Sequence, residues 1–227
     1  MKKISSFFLF SFIAQAVCAE GFNGFSFGGN IGINSFQSGS ASYQGNLPLG
    51  PGVAITIGRS RENASNTLFS GGITAGYGTV IQQFFLGGAL DFSFSDGIAK
   101  IGQPDINVYE KFREKFFLRP VVKLGYVYDS KILFFTSVGA SYGYFSIYTD
   151  AGAGTSTGVT RGKCYLWAFS VGGGTEIFLN SKVSTTLEYV FNNYQGKIFN
   201  LTGSTTGDQV SFTPRDHIFR IGLSYHF

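Results

Sequence analysis

Six ionised side chains interrupt otherwise apolar, alternating stretches of this chain: Asp91, Arg119, Lys123, Glu176, Glu188 and Arg220. Three acids and three bases in low-dielectric surroundings imply an electrostatic network, because a buried charge needs an opposite partner to offset its desolvation. The alternative use of such a set is an ion path. Catalytic chemistry has less to draw on. His217 and His226 are the only histidines. His226 shares a strand face with Ser224, whereas Asp216 and His217 are adjacent and point to opposite faces. A Ser–His dyad also needs an oriented base and an oxyanion site. Neither is legible, so no catalytic residue is assigned. The run Gly158-Val-Thr-Arg-Gly162-Lys163-Cys164 falls one residue short of a phosphate loop, has Cys in place of Ser or Thr, and leads into a strand rather than a helix. No metal or other cofactor is expected.

The elements that position the six charges follow from a two-residue period. Over residues 24–35, Phe25, Phe27, Ile31 and Ile33 share one face, opposite Ser26, Gly28, Asn30, Gly32 and Asn34. Further segments of this kind are expected near 68–79, 83–95, 114–127, 131–145, 163–178 and 182–192, and an eighth ends the chain at Phe227. All six charges take the polar parity, and none takes the apolar one. Counted from the short connections, Glu188 is expected beside Arg220, and Asp91 beside Arg119. Pro120 cannot donate to a ladder, so a bulge or bend is expected there.

Connections alternate in length. Tight turns are expected at 79–82, 128–130 and 179–181, and long loops at 36–67, 96–113, 146–162 and 193–213. A soluble sandwich has no reason to sort them, whereas a membrane barrel places short turns on one side and long loops on the other. Aromatic residues cluster toward both ends of the apolar stripes, as interfacial girdles do. Val53–Ile57, inside the first long loop, is expected to form a strand extending the barrel. The second loop mixes Lys100, Lys111, Arg113 and Lys115 with Asp105, Glu110 and Glu114, and its bases are candidates for phosphate contacts.

Residues 1–19 have a basic start, an apolar stretch and Ala19 at a small-residue cleavage position, the pattern of a secretory signal peptide. Cys18 lacks the preceding pattern of a lipidated cysteine. Removal of the leader leaves Cys164 as the sole cysteine, so no internal disulfide is expected. It also lowers the formal charge from +4 to +2, with 15 bases against 13 acids, so the basic pI is no argument for nucleic acid. Residues 20–227 are expected to form a single domain, with no cell-wall-binding module after it.

The ending Arg220-x-Gly222-x-x-Tyr225-x-Phe227 resembles the carboxy-terminal assembly signal of bacterial outer-membrane proteins. With the leader and the alternating connections, the chain resembles the eight-stranded outer-membrane barrels of the OmpA transmembrane-domain and opacity-protein type. The resemblance implies an all-β, antiparallel, up-and-down transmembrane barrel in the outer membrane, inserted by the barrel-assembly machinery and surrounded by lipid and lipopolysaccharide. It carries over no catalytic or ligand-binding residues. An eight-stranded interior is filled by side chains, so a structural, surface-interaction protein is expected, with loops free to meet a host or surface ligand. A narrow porin-like channel is the alternative, and an enzyme the third reading.

Overall fold

Alternating stretches long enough to cross a bilayer can bury their backbone polar groups only by pairing with one another in a closed cylinder. The computed structural model describes residues 20–50, 53–57, 62–103, 108–151, 160–200 and 209–227, with side chains described over 21–37, 67–95, 113–146, 162–197 and 213–227. The expected leader lies outside the described residues. Eight long strands are the staves: β1 (Gly24–Gly50), β3 (Glu62–Ile81), β4 (Phe84–Gln103), β5 (Val108–Tyr128), β6 (Ile132–Ala151), β7 (Thr160–Phe178), β8 (Val183–Tyr194) and β11 (Pro214–His226). Sequential staves pair antiparallel, and β11 closes the cylinder on β1 from Ser26↔His226 to Ser38↔Pro214.

Following register partners from Ile31 through Ile221, Leu187, Thr175, Phe134, Tyr126 and Phe84 to Ile81, and extending the Gly24↔Gly78 register by three residues, returns to β1 at position 21. The stagger is therefore ten residues around eight strands. Such a barrel has its strands tilted by about 40° and an interior that side chains fill.

Outward residues are apolar on every stave, including Phe25, Ile73, Leu90, Leu124, Val138, Phe169, Leu187 and Ile221, and each is about half exposed or more. Outward runs such as Val183–Phe191 and His217–Phe227 match the roughly 9–11 tilted residues that cross hydrocarbon. The outward bases Lys115, Lys163 and Arg215 are exposed beyond the loop-end limit of this belt. No soluble surface would leave a continuous apolar band of this kind uncovered. The cylinder is a membrane-spanning barrel.

Short turns at Gln82–Gln83, Asp129–Lys131 and 179–182 share one end, here the turn end, with Glu20 and Phe227. At the opposite, loop end the staves run well past the apolar belt. The strand expected at Val53–Ile57 is present as β2 and pairs with Gly45–Gly50 of β1. A hairpin of β9 (Lys197–Asn200) and β10 (Gln209–Phe212) docks on Ser42–Gln44 of β1. Much of what composition marks as loop is therefore ladder, because Gly, Ser and Thr alternation pairs as readily as apolar alternation once a neighbouring strand continues.

The bulge expected at Pro120 is absent. The β5–β6 register is the same at Leu118↔Tyr142 and Val121↔Gly139, with partners missing only between them. Gly139 provides the accommodation, since a Cβ there would strike the carbonyl oxygen of Pro120. Bulges occur instead near the loop end, between Phe94 and Gly97 against β5 and between Glu114 and Phe116 against β6.

An outward belt at bilayer depth makes a position-dependent prediction. Val138→Arg, in the middle of the belt, is expected to destabilise the folded barrel by about 2–4 kcal/mol, against about 0–1 for Tyr128→Arg at the turn-end rim. Urea unfolding in lipid vesicles measures both, and equal losses would contradict the assigned depth.

Candidate functional site

Inward residues on one stave are two positions apart, so each stave gives the same sequence of layers from turn end to loop end. On β5 the order is Val127, Lys123, Arg119, Phe117 and Glu114. On β8 it is Ser184, Glu188, Val190, Asn192 and Tyr194, and on β11 it is His226, Arg220, Ile218 and Asp216.

The turn end is closed by Phe22, Val80, Val127, Leu133 and Phe135, with Phe85 and Phe178 against them. Phe22 reaches this lid from the short 3-10 turn Glu20–Phe22 and meets the Phe178 ring edge-on at 4.6 Å. Behind it, Nε2 of His226 lies 2.9 Å from both Glu176 Oε1 and Ser184 Oγ, and Ser184 donates to Glu176 at 2.6 Å. A catalytic triad holds its acid and its nucleophile on different ring nitrogens. Here one nitrogen faces both, beneath an aromatic lid. Ser224 makes no such contact with His226.

The central layer is a cross-braced box. Arg119 Nη1 donates to Asp91 at 2.7 Å and Nη2 lies 3.2 Å from Glu188, while Arg220 Nη2 donates to Asp91 at 2.7 Å and to Glu188 at 2.6 Å. Each base touches both acids. Ser137, Ser170 and Thr74 fill remaining donor and acceptor positions, and all four charged groups are buried. Gly172 makes room, because a Cβ there would meet Ser137 Oγ and Arg119 Nη2. Lys123 and Glu176 lie one layer toward the turn end, outside the box. Lys123 Nζ sits 4.6 Å from the centre of the Phe135 ring, and two small cavities, about 30 and 40 Å³, adjoin Lys123 and Glu176. Volumes of that size admit isolated waters rather than a water column.

Directly beyond the box, Phe117, Val190 and Ile218 form an apolar septum. A second polar chamber follows. Asn34 Nδ2 and Tyr194 Oη each donate to Glu114 at 3.0 Å, and Asp216 lies against Glu114, Asn192 and Tyr194. Phe36, Leu68, Phe145, Cys164, Leu166 and Ala168 roof this chamber together with the Tyr194 ring. Glu114, expected among solvated loop charges, is instead only 1% exposed. The bulge between Glu114 and Phe116 is the reason: one extra residue inverts parity and turns Glu114 inward. Asn34, Asn192 and Asp216 hold the inward parity, but nothing in their types marked them as a cluster.

Of the terminal motif, Arg220 belongs to the box and Gly222 faces inward, while Tyr225 and Phe227 face outward, with Phe227 77% exposed. His217 also faces outward, its Nδ1 2.7 Å from Tyr189 Oη, and is separated from the inward Asp216 by strand parity.

No protein-family model and no curated protein matches the sequence. Solved structures do. The outer membrane protein OprG of Pseudomonas aeruginosa superposes with a TM-score of 0.53 at 12% identity, covering 92% of this chain and 99% of that one. The outer membrane protease OmpT of Escherichia coli gives 0.50 at 11% identity, covering 91% and 97%. The chain has the fold of the outer-membrane β-barrels.

The box predicts strong coupling. Arg220→Met leaves Asp91 and Glu188 sharing one base and is expected to cost about 3–5 kcal/mol, whereas adding Glu188→Met restores part of the loss. Equilibrium unfolding of the single and double variants measures the interaction. Strict additivity would mean the two side chains do not share the box.

Proposed function

We propose that this protein is a structural and surface-interaction component of the outer membrane: a filled, rigid cylinder carrying an extended platform of strands and loops outside the cell. One observation carries the reading. The described interior is crossed by apolar layers at both ends and by the Phe117–Val190–Ile218 septum in between, so the strand extensions at the loop end are the part available to a partner. Short turns facing the periplasm and long connections facing outward are the usual orientation of such barrels. Binding commonly resides on loops held by a rigid scaffold.

The outer rim supports lipopolysaccharide as the surrounding partner. On the outward face of β4 to β7, rings from Phe92 and Phe94 through Phe116, Tyr144 and Tyr165 to Tyr142 and Trp167 are in serial contact. Lys115 places its ammonium 5.7 Å from the Tyr144 ring centre, and Lys163 is exposed beside Tyr165. Aromatic rings at the interface with bases just beyond them match the acyl-chain boundary and the phosphates of an anionic glycolipid. The outward Tyr225 and Phe227 are accessible elements of the terminal strand for the barrel-assembly machinery. The single-nitrogen geometry at His226 speaks against hydrolytic catalysis in this interior, so the protein is read as a non-enzyme.

Planar-bilayer recording tests the central claim. Purified protein is expected to give no resolved single-channel steps, and reproducible steps of defined conductance would favour the narrow-channel reading. Binding of intact cells to candidate surfaces, compared before and after shortening of the β4–β5 connection, then locates the interaction.

A further inference from the structure

Among the described residues, the loop-end chamber differs from the other charged layers of the barrel. In the central box each carboxylate meets two guanidinium groups, and Glu176 meets His226. Glu114 and Asp216 are both buried and adjacent, yet among the described residues neither has an ion-pair partner. Both oxygens of Glu114 accept hydrogen bonds, from Asn34 Nδ2 and Tyr194 Oη. Neither oxygen of Asp216 accepts a hydrogen bond of good geometry, although Glu114, Tyr194 and Asn192 all lie within polar contact of it. Two fully buried amides adjoin them: Asn34 Oδ1 and both polar atoms of the Asn192 side chain are also without a hydrogen-bond partner. The chamber thus holds six side-chain oxygens on β1, β5, β8 and β11, four of them from carboxylates; Asn34 turns its Nδ2 to Glu114, and rotation of that amide would present its oxygen instead.

We propose that this chamber is a divalent-cation site, fitted to Ca²⁺, with Glu114 and Asp216 as anionic ligands and Asn34 and Asn192 as neutral ones. A 2+ ion cancels the two negative charges and occupies the unpartnered acceptors. An all-oxygen set selects a hard cation over zinc or copper. The chamber lies between the apolar septum and the largely apolar roof, surroundings that favour Ca²⁺, with its 6–8 oxygen ligands, over the more reluctantly dehydrated Mg²⁺. The site lies apart from the box, so it ties β5 to β8, β11 and β1 near the loop end, where the staves continue beyond the membrane.

The test uses the full-length mature barrel, refolded in lipopolysaccharide-free detergent, treated with a chelator and then titrated with Ca²⁺, Mg²⁺ or Tb³⁺. Ca²⁺ is expected to raise the unfolding midpoint saturably, with half-saturation at or below about 10⁻³ M, within the range of oxygen-ligated sites. Tb³⁺ is expected to show luminescence sensitised by the protein's aromatic rings and displaced by Ca²⁺. Glu114→Gln and Asp216→Asn keep shape while removing charge. Each is expected to weaken Tb³⁺ binding by at least about tenfold, a loss seen even for groups outside the first coordination sphere. Because these variants remove buried negative charge, they are expected to fold in chelator at least as well as the wild type. A wild-type barrel whose midpoint ignores Ca²⁺ but shifts with pH would overturn the proposal in favour of a shared proton, as would Tb³⁺ luminescence unchanged in both variants.

Discussion

Everything in this structure depends on the pairing of β1 with β11. In hydrocarbon an unpaired N–H or C=O has no water to turn to, and each costs several kcal/mol. An open eight-strand sheet would present two such edges along the full depth of the bilayer. The ladder from Ser26↔His226 to Ser38↔Pro214 removes both. β11 is thus the element that converts a sheet into a membrane-compatible object.

Closure fixes the interior, and the interior fixes the chemistry. Eight strands staggered by ten residues enclose a bore that side chains fill, so a charged group on the inner face has little water available. The central box meets this condition by sharing: two bases and two acids, each in contact with both opposite partners. Replacing such a box with apolar side chains could well be neutral for stability. What the box supplies is register, because a one-residue slip of β11 against β8 would carry Arg220 to the lipid face and leave Asp91 and Glu188 sharing Arg119 alone. Small residues such as Gly172 are part of the same arrangement, since they hold open the volume that the guanidinium occupies.

Legibility in the sequence tracks how far a feature depends on alternation alone. Parity is a local property, so the inward placement of Asp91, Arg119, Glu188 and Arg220 and the outward belt could be read one segment at a time. Height within the barrel could be counted from the tight turns, which is why Glu188 with Arg220 and Asp91 with Arg119 were both within reach of counting. The cross-braces from Arg119 to Glu188 and from Arg220 to Asp91 were not, because they cross the bore and depend on the stagger. Glu114 escaped for a different reason. Its inward orientation rests on one bulge residue, and bulges carry no reliable signature when the residues involved are Glu114, Lys115 and Phe116. Pro120 illustrates the converse: a residue with a strong local rule was absorbed by a glycine on the neighbouring strand. The expected signal peptide lies outside the described residues.

The layers also separate the barrel into compartments with different tolerances. The septum of Phe117, Val190 and Ile218 stands between the box and the chamber containing Glu114, so the charge balance of one is shielded from water reaching the other. Each septum residue lies two positions along its stave from a member of the box, and on β8 and β11 the next inward positions, Asn192 and Asp216, belong to the chamber. An insertion or deletion of one residue on β5, β8 or β11 between these layers would exchange an apolar side chain for an outward one and breach the septum. A bulge beyond it, such as the one at Glu114, changes only the chamber. That asymmetry explains why irregular pairing is concentrated near the loop end and why the register is uninterrupted from the turns up to Phe116. The membrane-spanning half is held by strict alternation, and variation is confined to the end where the strands leave the lipid.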